Sequence, residues 1–191
     1  LFNIVFMGMG EGLDNFYNLV ETVNLVVKKE HFGLSPTRIT VSSCGLADMI
    51  EKFSHIYPNV RIAVSLNSTM QEKRVSIMPV SKKYPIDKLA SVLKDIYART
   101  RNRITLEYVL IKDYNMSDED IKALSIFNSD AFHINLIPLN HSDENVKRPE
   151  ENDITHFMNK LEKRGFCVTR RYRRGADIKA DCGQLCTEFK K

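Results

Sequence analysis

The 191-residue chain reads as an α/β protein built on a parallel sheet. Two observations predict this. Short β-branched runs alternate with segments of helical spacing along nearly the whole length. The strand-like runs also lead into polar or glycine-rich segments, as strands followed by right-handed helical crossovers do. Such a sheet is either doubly wound or curled into a barrel, and both arrangements gather ligands beyond the carboxyl ends of the strands.

Taken in order, residues 4–7 form the first strand-like run, and Phe16, Leu19, Val20, Val23 and Val27 then follow helical spacing. Strands are expected at residues 38–41 and 60–64, followed by a helix carrying Ile86, Leu89, Ala90, Leu93, Ile96 and Tyr97. After a strand at 104–111, Ser117 and Asp120 have the spacing of a capping box ahead of a helix at 121–127. A strand at 132–139 leads into a charged, aperiodic loop at 141–149. Pro149 stands before the last long helix, which carries Ile154, Phe157, Met158 and Leu161, and residues 166–169 form the final strand. No repeat, low-complexity stretch or linker divides the chain.

A composition of 43% hydrophobic and 27% charged residues is that of an ordinary soluble globular protein. No apolar run has the length of a membrane span, so no membrane association is expected. The chain opens on Leu1-Phe2-Asn3-Ile4-Val5-Phe6-Met7, a strand-like run with no initiator Met and no signal-peptide flank, so the expectation is an N-terminally truncated piece. Four cysteines (Cys44, Cys167, Cys182, Cys186) without a secretory signal favour a reducing, cytoplasmic setting. Cys167, on a strand-like run, is expected in the core. The net charge is +4, and residues 166–191 carry seven Lys or Arg against three Asp or Glu, the whole formal excess. Such a concentration suits a polyanion such as RNA, and it equally suits a solvated surface.

The strand ends deliver Gly8-Met9-Gly10-Glu11-Gly12, Ser42-Ser43-Cys44-Gly45, Ser65-Leu66-Asn67-Ser68 and Pro138-Leu139-Asn140. Glycines there admit a ligand close to the backbone, and hydroxyl and amide groups offer neutral hydrogen bonds to an amino acid or a ribose. Glu11, the one carboxylate among them, could salt-bridge a ligand's ammonium or begin a helix at its positive end. Gly8-x-Gly10 has neither a third glycine nor the Lys-Ser/Thr pair of a phosphate loop, which argues against a dinucleotide or nucleoside-triphosphate fold.

Cys182-x-x-x-Cys186 has no third or fourth ligand at metal spacing and the five histidines are scattered, so no metal ligands are assigned in this chain. No nucleophile-base motif involves a histidine. Cys182 itself lies between Asp181 and Gly183, beyond the last core-like element and without apolar periodicity around it. A free cysteine ordinarily packs as a small hydrophobe, so this setting reads as that of a reactive thiol, with an exposed bystander as the alternative.

Together, Phe6-Met7-Gly8-Met9-Gly10-Glu11, Gly33-Leu34-Ser35-Pro36-x-Arg38-Ile39-Thr40-Val41-Ser42, Ala63-Val64-Ser65-Leu66-Asn67, Met78-Pro79-Val80 through Tyr84-Pro85-Ile86, Asn135-Leu136-Ile137-Pro138 and Asp181-Cys182-Gly183-Gln184-Leu185 resemble one family. It is the Cys-methylating radical-SAM RNA methyltransferases of the RlmN/Cfr type, matched in order from Phe6 to about Leu185. The resemblance implies a partial (β/α) radical-SAM, TIM-like barrel over residues 1–171, lacking its first βα unit, and a tail at 172–191. It also implies that Gly10, Glu11, Ser42, Ser65, Leu66, Asn67 and Asn140 lie at S-adenosylmethionine, and that Cys182 carries the methyl group.

In the family's mechanism one S-adenosylmethionine methylates the cysteine, and a second is cleaved at a 4Fe-4S cluster to a 5′-deoxyadenosyl radical that activates the S-methyl group for addition to adenine. The implied product is adenine methylated at carbon 2 in 23S ribosomal RNA, with tRNA as a second substrate. Carbon 8, the antibiotic-resistance activity, is the alternative outcome, and a non-catalytic RNA-binding module is the alternative class. An electron donor for the cluster and a monomeric, cytoplasmic protein are further implications. Arg170, Arg171, Arg173 and Arg174 are expected at RNA phosphates.

The C-x-x-x-C-x-x-C cluster motif, the resolving cysteine and the general-base glutamate of the family would all precede Leu1. The chain alone is therefore expected to be inactive. Gly12 stands where many relatives have proline and Asn67 where many have histidine. Neither Cys44 nor Cys186 has an assigned role.

Overall fold

The computed structural model describes residues 3–8, 10–140 and 146–171. Six parallel strands form one sheet, β1 (Ile4–Phe6), β2 (Ile39–Ser43), β3 (Arg61–Ser65), β4 (Ile104–Leu110), β5 (Phe132–Pro138) and β6 (Val168–Arg170), in the spatial order 1-2-3-4-5-6. All the strand-like runs read from the sequence are strands, with ends shifted by one or two residues. The unbroken order decides between the two architectures left open above. A doubly wound sheet reverses its order at a switch point, whereas a sheet that advances one strand at a time with right-handed crossovers keeps every helix on one face. The fold is the barrel-type α/β arrangement.

Helices α1 (Phe16–Val27), α2 (Ala47–Ile56), α3 (Gln71–Ile77), α4 (Ile86–Thr100), α5 (Asp118–Ala123) and α6 (Glu151–Lys163) supply the covering layer. α1 buries Phe16, Leu19, Val23 and Val26; α4 buries Ile86, Leu89, Ala90, Leu93 and Ile96; α6 buries Ile154, Phe157 and Leu161. These are the i, i+3, i+4 stripes of helices lying on a sheet. The sheet answers with Ile39, Val41, Ile62, Val64, Ile104, Leu106, Tyr108, Leu110, Phe132, Ile134 and Leu136, all buried. Each such side chain withdrawn from water is worth about 1.5–3 kcal/mol.

The capping box at Ser117 forms as read: Ser117 Oγ accepts from the Asp120 amide and Asp120 Oδ2 accepts from the Ser117 amide. Asp120, 1% exposed, is also held by Lys73 Nζ at 2.8 Å. At the last helix the start is one residue later than Pro149 suggested, with Glu150 and Asp153 forming the box. Two helices carry no clear signal in the sequence, α2 and α3. Among the described residues no helix is long and apolar enough to cross a membrane.

Cys167 is exposed, contrary to the core position expected of it. It sits just before β6, which among the described residues pairs only with β5 at the sheet edge, and its sulfur receives Arg103 Nη1 at 3.5 Å.

Candidate functional site

Alternation along the strands sends one residue in two to the face away from the helices. On that face the register aligns Ser42 with Ala63, and Ser65 with Glu107, Asn135 and Thr169 in a polar row across four strands. Thr169 Oγ1 lies 2.9 Å from His133 Nε2 and 3.4 Å from Asn135 Oδ1. The helix face of the same strands is a hydrocarbon core, so the two faces of one sheet have separate tasks, packing and ligand contact.

Beyond the strand ends, Glu11 ties the first two loops together. Its Oε1 accepts from the Leu13 amide at 3.1 Å, capping a short 3-10 turn at Gly12–Asn15. Its Oε2 accepts from the Cys44 amide at 2.6 Å and from Ser43 Oγ at 3.3 Å. The helix-start reading of Glu11 is thus realised, and Oε1, with one donor, still has lone-pair capacity for an ammonium. Gly10, with φ of 91°, takes the left-handed conformation that lets β1 turn into this cap. Ser43 is 2% exposed, and its hydroxyl also accepts from the Gly45 and Leu46 amides. Cys44, between the two serine-anchored contacts, has its thiol pKa pushed up to about 12 by burial and by the Glu11 carboxylate. It stays a thiol at neutral pH and is no nucleophile.

The Ser65-Leu66-Asn67 turn is built differently from what its motif suggests. Leu66 is wholly buried, its amide donates to Glu107 O at 2.8 Å and its carbonyl accepts from Arg74 Nε at 3.1 Å. It fixes the turn and brings no side chain to a ligand. Asn67 has φ of 57°; its Oδ1 accepts from the Val109 amide at 3.0 Å, and Nδ2 donates to Met78 Sδ at 3.3 Å, leaving one amide hydrogen for a ligand. Ser42 and Ser65 lie half-buried on the open face, and Asn140 follows β5 at the same end of the sheet. The structure therefore gathers Gly10, Glu11, Ser42, Ser65, Asn67 and Asn140 at one end of one sheet. Cys182, Arg173 and Arg174 lie outside the described residues. Arg170 is ion-paired with Glu151 at 2.6 Å on the helix side, and Arg171 follows it at the end of β6.

Three residues that the sequence reading did not single out organise this end. Arg74 is completely buried among the loop carbonyls. Asn115, also fully buried, joins the loops after β3 and β4. Glu107 is an 8%-exposed carboxylate in the polar row, and the described residues provide no hydrogen bond to it. A charged residue in the alternating run Ile104-Thr105-Leu106-Glu107-Tyr108 was the available signal for it.

Burial raises the Glu107 pKa above the ordinary carboxylate range, with Arg171 partly opposing the shift. The folded protein then holds this proton more tightly than the unfolded chain, so stability present at acid pH is lost as pH rises through the folded-state value. Glu107→Gln should raise the melting temperature at neutral pH and lose that advantage below the ordinary glutamate range. Melting curves against pH test this, and identical slopes for both proteins would refute it. Among the described residues no group of three or more His, Cys, Asp or Glu is placed to hold a metal ion.

No family model matches the chain. It is 37% identical over 184 residues to a probable dual-specificity RNA methyltransferase RlmN of Pseudothermotoga lettingae, covering 96% of this chain and 54% of that protein. The same kind of protein from Christiangramia forsetii is 40% identical over 190 residues, covering 98% and 54%. The crystal structure of a radical SAM methyltransferase from Sphaerobacter thermophilus superposes with a TM-score of 0.91 at 37% identity, over 96% of this chain and 55% of that one. A domain of pyruvate-formate lyase-activating enzyme from Bacteroides vulgatus shares the fold alone, with a TM-score of 0.64 at 18% identity, over 89% of this chain and 99% of that domain. The resemblance carried by the strand-end motifs is borne out over nearly the whole chain, which spans about half the length of the curated relatives it matches.

Proposed function

We propose that this chain is the S-adenosylmethionine-holding part of a radical-SAM RNA methyltransferase that methylates carbon 2 of an adenine in 23S ribosomal RNA, and of tRNA as a second substrate. The observation that carries the reading is the convergence of Gly10, Glu11, Ser42, Ser65, Asn67 and Asn140 at the carboxyl end of one singly wound sheet, in a chain 37% identical to a radical SAM methyltransferase of the same fold. The donor set fits the ligand. A carboxylate already anchored by two loops can take an ammonium, a glycine turn admits the amino-acid backbone, and hydroxyls and an amide can bind ribose and carboxylate.

The domain division goes with this reading: residues 1–171 are the partial barrel, and residues 172–191 are the segment that supplies Cys182 as methyl carrier. S-adenosylmethionine supplies the methyl group and, with a 4Fe-4S cluster, the radical chemistry. The cluster's ligands lie outside this chain, so residues 1–191 alone are inactive. The chain's own residues hold and orient the cofactor, while Arg171, Arg173 and Arg174 offer charge to RNA phosphates. The protein works as a cytoplasmic monomer with a separate electron donor.

The test is mass mapping of the methylated position in RNA treated with the complete enzyme. Carbon 2 is expected; carbon 8 would move the protein to the resistance activity, and the absence of any methylated adenine would refute the enzyme reading. A second measurement follows binding to RNA against salt. Arg173→Ala with Arg174→Ala should make the logarithmic salt slope shallower by about one to two, and an unchanged slope would exclude phosphate contact.

A further inference from the structure

Arg74 is a cation wholly withdrawn from water, and no carboxylate is among its hydrogen-bond partners. Its Nη2 donates to Cys44 O at 2.9 Å and Ser65 O at 3.2 Å, its Nε to Leu66 O at 3.1 Å, and its Nη1 to Ser81 Oγ. Burial accordingly pushes its pKa down. An uncompensated buried charge costs folding free energy, and apolar side chains of similar volume fill such space at less cost. Packing alone therefore does not account for it. A planar fork of five donors that spans two strand ends does.

The backbone has been shaped to admit that fork. Gly45, at φ of 107°, lies so close that a Cβ there would sit 2.8 Å from Arg74 Nη2 and 3.2 Å from Leu89 Cδ2. Cys44 is gripped from both ends, its amide by the Glu11 carboxylate and its carbonyl by Arg74. Glu11, Cys44, Arg74 and the Ser65-Leu66 carbonyls thus form one bonded chain joining the ends of β1, β2 and β3. Its two charged members are the Glu11 carboxylate and the Arg74 guanidinium.

We infer that Arg74 is the positioning residue of the cofactor site: without touching the ligand, it sets the mutual placement of the Ser42-Gly45 and Ser65-Asn67 loops. The inference rests on the reading of that site as one for S-adenosylmethionine. Lysine at the same place keeps the charge but has one nitrogen where three carbonyls and a hydroxyl must be spanned.

The test uses the complete ¹⁵N-labelled protein titrated with S-adenosylhomocysteine, an unreactive analogue. Wild type should shift the amides of Gly10, Glu11, Cys44 and the Ser65-Asn67 turn. Arg74→Lys should bind about tenfold more weakly and Ser81→Ala, which frees one arm of the fork remote from the ligand, about threefold. In both variants the ligand-free amides of Cys44 and Leu66 should already be displaced. Folded variants that bind within twofold of wild type would overturn the inference while leaving the cofactor reading intact. If Arg74→Lys does not fold, Ser81→Ala decides alone: a lowered melting temperature with unchanged affinity would make Arg74 a stability element only, against the proposal. A complete wild-type protein that fails to bind the analogue overturns the cofactor reading itself.

Discussion

Replacing Cys182 with Ala in the complete enzyme should abolish methyl transfer to RNA, by at least about a thousandfold, because the proposed function makes this thiol the carrier of the group. Carbon 2 of adenine has no electron pair with which to attack a methyl sulfonium, so a methyl group delivered there must first be held elsewhere and activated as a radical. Among the four cysteines, Cys44 is disqualified by its environment: its thiol, pushed up to about 12, remains protonated. Cys167 is exposed at the sheet edge against Arg103. Cys167→Ser therefore serves as the control and should retain transfer. Peptide mass mapping should find S-methylcysteine at position 182 in wild type and none in Cys182→Ala. Methyl transfer retained by the variant would remove Cys182 from the reaction.

All six strands were legible because a sheet covered on one face by helices needs β-branched residues in register, and that need leaves a period the eye can follow. α2 and α3 were not legible, for a physical reason in each case. α2 buries Ala47, Ile50, Phe53 and Ser54, a narrow stripe ending on a hydroxyl, and its N-cap Leu46 provides no side-chain signal. The buried residue of α3 is Arg74, so the helix turns a cation inward where periodicity looks for an aliphatic side chain. Cys167 misled by the same logic: a strand-like run at a sheet edge buries less than one in the centre.

The candidate site divides in a similar way. Glycines, hydroxyls and Glu11 announced themselves at strand ends, where polar residues interrupt apolar runs. Arg74 and Asn115 did not, because nearly all their partners are backbone carbonyls and amides, and nothing in a string of residues marks which carbonyls will need a donor. The Ser65-Leu66-Asn67 motif was legible as a unit, but its division of labour was not. Leu66 is core, and the Asn67 side-chain oxygen is committed to β4.

That commitment is secured by Asn115, and Asn115→Leu should lower stability by about 3–5 kcal/mol and the melting temperature by about 10 °C. The side chain is fully buried and uses three hydrogen bonds: Oδ1 accepts from the Ile111 amide at 2.9 Å, and Nδ2 donates to Val109 O at 2.7 Å and Asn67 O at 2.8 Å. Its own carbonyl accepts from the buried Tyr108 hydroxyl at 2.8 Å. Leucine keeps the branched shape in a bulkier side chain but leaves one amide and two carbonyls buried without these partners, and the penalty for each falls on the groups that remain. Asn115→Asp separates volume from hydrogen bonding more sharply: it keeps the acceptor for Ile111 but sets a carboxylate against two carbonyl oxygens, and should be at least as destabilising at neutral pH. Protonation removes that repulsion and restores one donor, so the aspartate variant should recover part of its loss in acid while the leucine variant does not. Urea unfolding of the three proteins at neutral and acid pH measures both effects. A leucine variant within about 1 kcal/mol of wild type would mean that the loop closes without its amide, and that the positive φ of Asn67 is held by the Val109 contact alone.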